Sequence, residues 1–137
     1  MSAEDYDYLQ EAALKGKDVP FEKLEMYFPA AFKRITDTAS KRGLDPHSYE
    51  AIKTYFREDH NKVIDDGDGM YGKMPKTFCE FCKVKELSVL EKKIENEQLY
   101  LRVEKTRWVQ APFFKQEEIK IGDYVTVHHA LAVELLR

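Results

Sequence analysis

Several things are scarce in this chain of 137 residues, and each scarcity removes a class of protein. Two cysteines cannot make the framework of bridges that holds a small secreted domain together. Six glycines and five prolines are too few for a collagen-like or low-complexity chain. No apolar run approaches the roughly 18 residues that a membrane span requires. The first fifteen residues carry four acids and no early basic cluster, which is unlike a signal peptide. Charge of one sign is scarce too: the net charge is -3, with 15 acids against 10 bases in residues 1–69 and 10 against 12 in residues 70–137. A stripe able to neutralise many phosphates would leave a larger basic excess, so nonspecific nucleic-acid binding is disfavoured. What is present is 43% hydrophobic and 12% aromatic residues beside 34% charged ones, the composition of a soluble globular protein, expected in the cytoplasm.

The first half reads as helices. Ser2-x-x-Asp5 is a capping box opening residues 3–15, and Gly16 closes them. Asp18 and Pro20 start a second segment, with Phe21, Leu24, Tyr27 and Phe28 at helical spacing, until Pro29 interrupts it. A third runs from Pro29 to Arg42 with Phe32, Ile35 and Ala39 on one stripe. Asp45-Pro46 reads as the N-cap and first residue of a fourth, where Tyr49, Ile52, Phe56 and Val63 share a face. Residues 1–64 are thus expected to form a small helical bundle.

Asp65-Asp66-Gly67-Asp68-Gly69 follows. As an EF-hand loop it fails at its third position, Gly67, and at its twelfth, Lys76. Residues 65–76 read as an acidic, glycine-rich linker. Beyond Pro75 the apolar period becomes two: Val84–Leu90 is strand-like with imperfect alternation, Leu99, Leu101 and Val103 alternate cleanly, Trp108 and Val109 sit in a short run, Ile119 and Ile121 and then Val125 and Val127 alternate, and Leu131, Val133 and Leu135 continue the last strand. Five or six short strands suit a small closed or half-closed barrel over residues 77–137, of the oligonucleotide-binding-fold type. The fold class expected is α+β, a helical bundle followed by a small β-barrel.

Chemistry has few places to live. Cys79-Glu80-Phe81-Cys82 spaces two thiols to grip a metal from one turn or to form a redox couple. Strand-like sequence follows, which argues against a thioredoxin-type pair. Zinc would need two further ligands, and a regular strand offers only one of His128 and His129. The plainer alternative is that both cysteines are small buried hydrophobes flanked by Phe78 and Phe81. By strand parity His129 falls with the apolar residues and reads as a core histidine, leaving His128 as the freer ring. His47 and His60, among polar neighbours on helices, read as surface residues. Trp108, Phe113 and Phe114 beside Lys105, Arg107 and Lys115 offer either base stacking or barrel plugging. With no Walker loop, G-x-G-x-x-G, H-E-x-x-H or G-x-S-x-G, an independent enzyme is not expected.

The last strands are more specific. Ile119-Lys120-Ile121-Gly122-Asp123-Tyr124-Val125-Thr126-Val127-His128-His129-Ala130-Leu131-Ala132-Val133 resembles the closing segment of the HypC/HupF family, the small barrel chaperones of nickel–iron hydrogenase maturation. Their pattern is roughly V-G-D-Y-V-x-V-H-x-G-x-A-I, and the likeness covers about residues 77–136. It implies a barrel that opens on a reactive cysteine, Cys79 or Cys82, and a transfer function. A thiolate would hold an iron–cyanide–carbonyl unit with His128 nearby, docking onto a scaffold protein and a hydrogenase precursor. The sequence departs from the pattern in three ways. Here 78 residues precede Cys79, the Ile-Pro that follows the family's cysteine is absent, and Ala130 replaces a glycine. The competing reading is a protein- or RNA-interaction module whose C-x-x-C is structural or zinc-bound.

Overall fold

The computed structural model describes residues 1–136 and divides into two compact units, Met1–Lys62 and Val63–Arg137. The first is helical. α1 (Ala3–Lys15) opens on the expected capping box: the Ser2 hydroxyl accepts from the Asp5 N–H at 3.1 Å, and the Asp5 carboxylate accepts from the Ser2 N–H at 3.0 Å. Gly16 ends it in the left-handed region, φ 65°, where a side chain would be strained. α2 (Phe21–Tyr27) and α3 (Pro29–Arg42) meet at Phe28 and Pro29, as the proline dictates. α3 buries Phe32, Ile35 and Ala39, the stripe expected of it, together with Thr38.

The fourth helical segment departs from expectation at its start and in its face. α4 (Tyr49–Thr54) is capped by Ser48, whose hydroxyl accepts from the Ala51 N–H at 3.1 Å. Asp45 instead turns the chain before it, accepting from the His47 N–H. The helix continues through a π-turn, Tyr55–Asp59, into α5 (His60–Asp65). Its buried positions are Ala51, Tyr55, His60 and Ile64, spaced four, five and four, while Tyr49 is 66% exposed. The five-residue step is the mark of the π-turn, which rotates the buried stripe away from the one a regular period selects. It also buries His60, expected at the surface; His47 is exposed, as expected.

The second unit holds a 3₁₀ segment (Gly69–Lys73), α6 (Lys76–Cys82) and a six-stranded sheet. The residues read as a linker are thus folded, with Gly72 packed so tightly that a Cβ there would lie 2.7 Å from the Gly67 carbonyl oxygen. The strands are β1 (Lys85–Ser88), β2 (Glu91–Glu95), β3 (Gln98–Arg102), β4 (Trp108–Gln110), β5 (Tyr124–His128) and β6 (Leu131–Leu136). Their order is β1-β5-β6-β4-β3-β2, antiparallel except where β4 meets β6. The architecture is α+β.

Two residues, Val89 and Leu90, separate the strands at the two ends of that order. The Val89 N–H donates to the Asp123 carbonyl and the Leu90 N–H to the Arg102 carbonyl, both at 2.8 Å. β2 escaped the sequence reading because Glu91-Lys92-Lys93-Ile94-Glu95 has no apolar alternation, and Ile94 is 54% exposed. It is held by its ladder to β3 through the Asn96-Glu97 turn, where both residues have positive φ, as a tight hairpin requires. Ile119 and Ile121, by contrast, are no strand: Ile119 is buried, Ile121 is exposed, and residues 120–123 form a turn. One core cluster unites Val89, Leu99, Leu101, Val103, Val109, Ile119, Val125 and Val127 among others.

Candidate functional site

Both cysteines lie on α6, one turn apart and immediately before β1. Cys82 is buried at 3% exposure, and burial pushes its thiol up from the ordinary range, with the nearby Cys79 adding to the shift. Cys79 is half-buried. Its thiol donates weakly to the carbonyls of Tyr71 (3.6 Å) and Met74 (3.9 Å), so the tightly packed 3₁₀ segment sets its direction. The flanking phenylalanines are largely exposed, Phe81 at 43% and Phe78 at 42%, so they are not buried together with Cys82.

His128 closes β5, half-buried, paired across the hairpin with Leu131. His129 is not the core residue that strand parity suggests. It is exposed at the hairpin turn with φ 57°, left-handed backbone in which histidine is tolerated at some cost. Parity fails because a strand that ends cannot extend its alternation. On β6 a bulge breaks it as well: Thr126 pairs with Glu134 but Val127 with Ala132, leaving Val133 over.

The His129 ring nevertheless has neighbours. It stacks on Phe81, centroids 5.4 Å apart and planes 13° apart, and lies 4.1 Å from the His128 ring. Arg107 completes the group, its guanidinium 5.5 Å from the Phe81 centroid and its Nη2 donating to the His129 carbonyl at 2.8 Å. Partial desolvation of the ring, and then the Arg107 charge, lower the His129 imidazole from its ordinary range although the residue as a whole is exposed. Phe81 and Arg107 are the site residues that sequence reading missed as partners. Their only signal was position: Phe81 between the cysteines, Arg107 in the turn before β4.

The structure thereby joins the cysteine-bearing helix to the hairpin that carries His128. Among the described residues, no group of three or more histidine, cysteine or acidic side chains is arranged to hold a metal ion. Trp108 lies away from Phe113 and Phe114 in role: its ring carries Lys93, 4.4 Å from its centroid, while Phe114 packs against the core and Phe113 is exposed. The helical unit has its own groove of about 810 Å³, lined by Leu9, Val19, Phe21, Leu24 and Ile52 with Lys17 among its polar residues. Among the described residues no helix is long and apolar enough to cross a membrane. No family model, curated protein or solved structure compared with the chain matches it.

Proposed function

We propose that the chain is a non-catalytic accessory protein that holds a metal unit for delivery to a partner protein, in the manner of the hydrogenase-maturation chaperones its last strands resemble. One observation carries the reading: the Phe81–His129 stack draws the turn bearing Cys79 and Cys82 to the hairpin bearing His128. Bridging of the outer strands supports a small barrel, because the Val89 and Leu90 hydrogen bonds make β1 and β2 a single bent path bonded at both ends of the strand order.

The donor set suits a soft or borderline metal unit as cargo. Thiolates and an imidazole favour iron of this kind over hard, oxygen-seeking ions. In loading, a cysteine gives up its proton and binds the unit; Cys79, the more accessible, takes it first. His128 serves as a second ligand or receives the released proton. Release to a partner reverses the thiolate bond, so no turnover is required of the protein itself. Protein partners, a maturation scaffold and an enzyme precursor, follow from that role.

The burial of Cys82 favours a second reading, an interaction module in which the pair is structural or zinc-bound. Elemental analysis of anaerobically purified protein separates the two, beside Cys79→Ala, Cys82→Ala and His128→Ala. Iron that is lost with a cysteine and reduced with His128 supports the chaperone. Stoichiometric zinc lost with either cysteine, and unchanged in His128→Ala, supports the interaction module.

A further inference from the structure

We infer that Cys79 and Cys82 by themselves form a two-coordinate thiolate site for a soft monovalent cation, copper(I) being the ion of that class. The inference rests on the metal-holding reading of this pair, but neither on the hydrogenase-type cargo nor on His128.

Spacing is the first argument. The cysteines are three residues apart within α6. Side chains at that separation on a helix have Cβ atoms about 5–6 Å apart. A disulfide needs roughly 3.5–4.5 Å, so direct bonding would require the helix turn to unwind. One bridging ion fits the wider gap, since two metal–sulfur bonds of about 2.3 Å each separate the sulfurs by roughly 4.6 Å when opposed.

Ligand number is the second. Zinc completes a tetrahedron, and with two thiolates it would need two more ligands or waters. Cys82 is 3% exposed, which denies water access to that side. Among the described residues no third histidine, cysteine or acid is grouped with the pair. A cation content with two sulfurs matches what the helix supplies, and thiolate softness selects copper(I).

Charge is the third. Two thiolates one helical turn apart carry like charges that repel, and the burial of Cys82 at 3% exposure leaves little water to screen them. A cation between the sulfurs removes that opposition. Two S–H bonds break, two S–Cu bonds form, and two protons leave to solvent. No electron is transferred. The Tyr71 and Met74 carbonyls, which now receive the Cys79 thiol, orient that sulfur before the ion arrives.

The test is an anaerobic titration of the reduced full-length protein with copper(I) held by a chromophoric bidentate chelator, run beside zinc(II) with its own indicator. The expected result is one equivalent of copper(I) with ultraviolet sulfur-to-metal absorption. Affinity should fall by at least about 100-fold in Cys79→Ser and in Cys82→Ala and stay unchanged in His47→Ala, an exposed residue of the helical unit. Near-ultraviolet circular dichroism identifies any variant that fails to fold, and half-buried Cys79 keeps the test valid if Cys82→Ala does. Three results overturn the inference: no copper(I) uptake by the folded protein, equal loss in His47→Ala, or stoichiometric zinc that copper(I) does not displace. Failure here with iron found in the purified protein leaves the chaperone reading standing. Copper(I) binding without iron removes the hydrogenase-type cargo alone.

Discussion

The ring of Phe81 lies nearly parallel to that of His129, 13° apart in plane and 5.4 Å between centroids, so a helix and a hairpin turn distant in sequence share one contact. The contact explains why a histidine occupies a backbone position at φ 57° that glycine or asparagine would enter more easily. Stacking is worth about 0.5–1.5 kcal/mol, comparable to the backbone cost of about 1–2 kcal/mol.

Substitutions at His129 should therefore separate the two effects. His129→Gly loses the ring and relieves the backbone, leaving stability within about 1 kcal/mol of the parent. His129→Ile loses the stack and keeps the strain, lowering stability by about 2 kcal/mol. Urea unfolding measures both. A β-branched residue tolerated as well as glycine would show that the turn is not strained.

A second relationship governs the helical unit at low pH. The Asp59 carboxylate receives Arg42 in a two-pronged pair, Nη1 at 2.7 Å and Nη2 at 2.9 Å, and the Thr38 hydroxyl at 2.6 Å. Arg42 chiefly lowers its pKa to about 2, with Thr38 assisting against the opposing effect of burial. Because the folded pKa lies below the ordinary 3.8, this contribution is complete above the unfolded value. It is lost as pH falls from about 4 through about 2. Asp59→Asn should cost on the order of 1–2 kcal/mol at pH 7, allowing for partial exposure, and remove that acid dependence. Thermal melts of both proteins between pH 2 and pH 7 should converge at the acid end.

Gly72 provides a test of the segment between the helical unit and the sheet. An added methyl would meet backbone, the Gly67 carbonyl oxygen at 2.7 Å, which cannot swing aside as a side chain could. Gly72→Ala should open the 3₁₀ segment and release the Tyr71 carbonyl from the Cys79 thiol. The measurable outcome is faster protease cleavage within residues 66–75 and faster Cys79 labelling by a thiol reagent. Unchanged rates of both would mean that the Gly67–Gly72 approach does not order the segment.

Much of this was legible one residue at a time. Ser2 and Asp5, Gly16 and Pro29 punctuate the first three helices through local rules: a side chain caps its own helix, and glycine or proline ends it. Alternation marked β3 and β5, and a short apolar run marked β4, because residues of each meet the core. The fourth segment was misread because a π-turn changes the period, and nothing in Tyr55-Phe56-Arg57-Glu58-Asp59 announces one. The Asp59 carboxylate meets Arg42 and Thr38, seventeen and twenty-one residues earlier, only in the folded unit.

The site divides along the same line. Sequence by itself determined that two thiols are spaced as a C-x-x-C pair, that two adjacent histidines follow an alternating apolar stretch, and that the chain is α+β with its apolar period changing near Pro75. Those follow from residue type and local spacing. Tertiary structure alone decided that Cys82 is buried while Phe81 is not, that His129 sits in a turn, and that Phe81 bridges the two motifs. Those depend on a bulge, a hairpin end and a stack between residues 48 positions apart, and no local pattern encodes contacts at that distance.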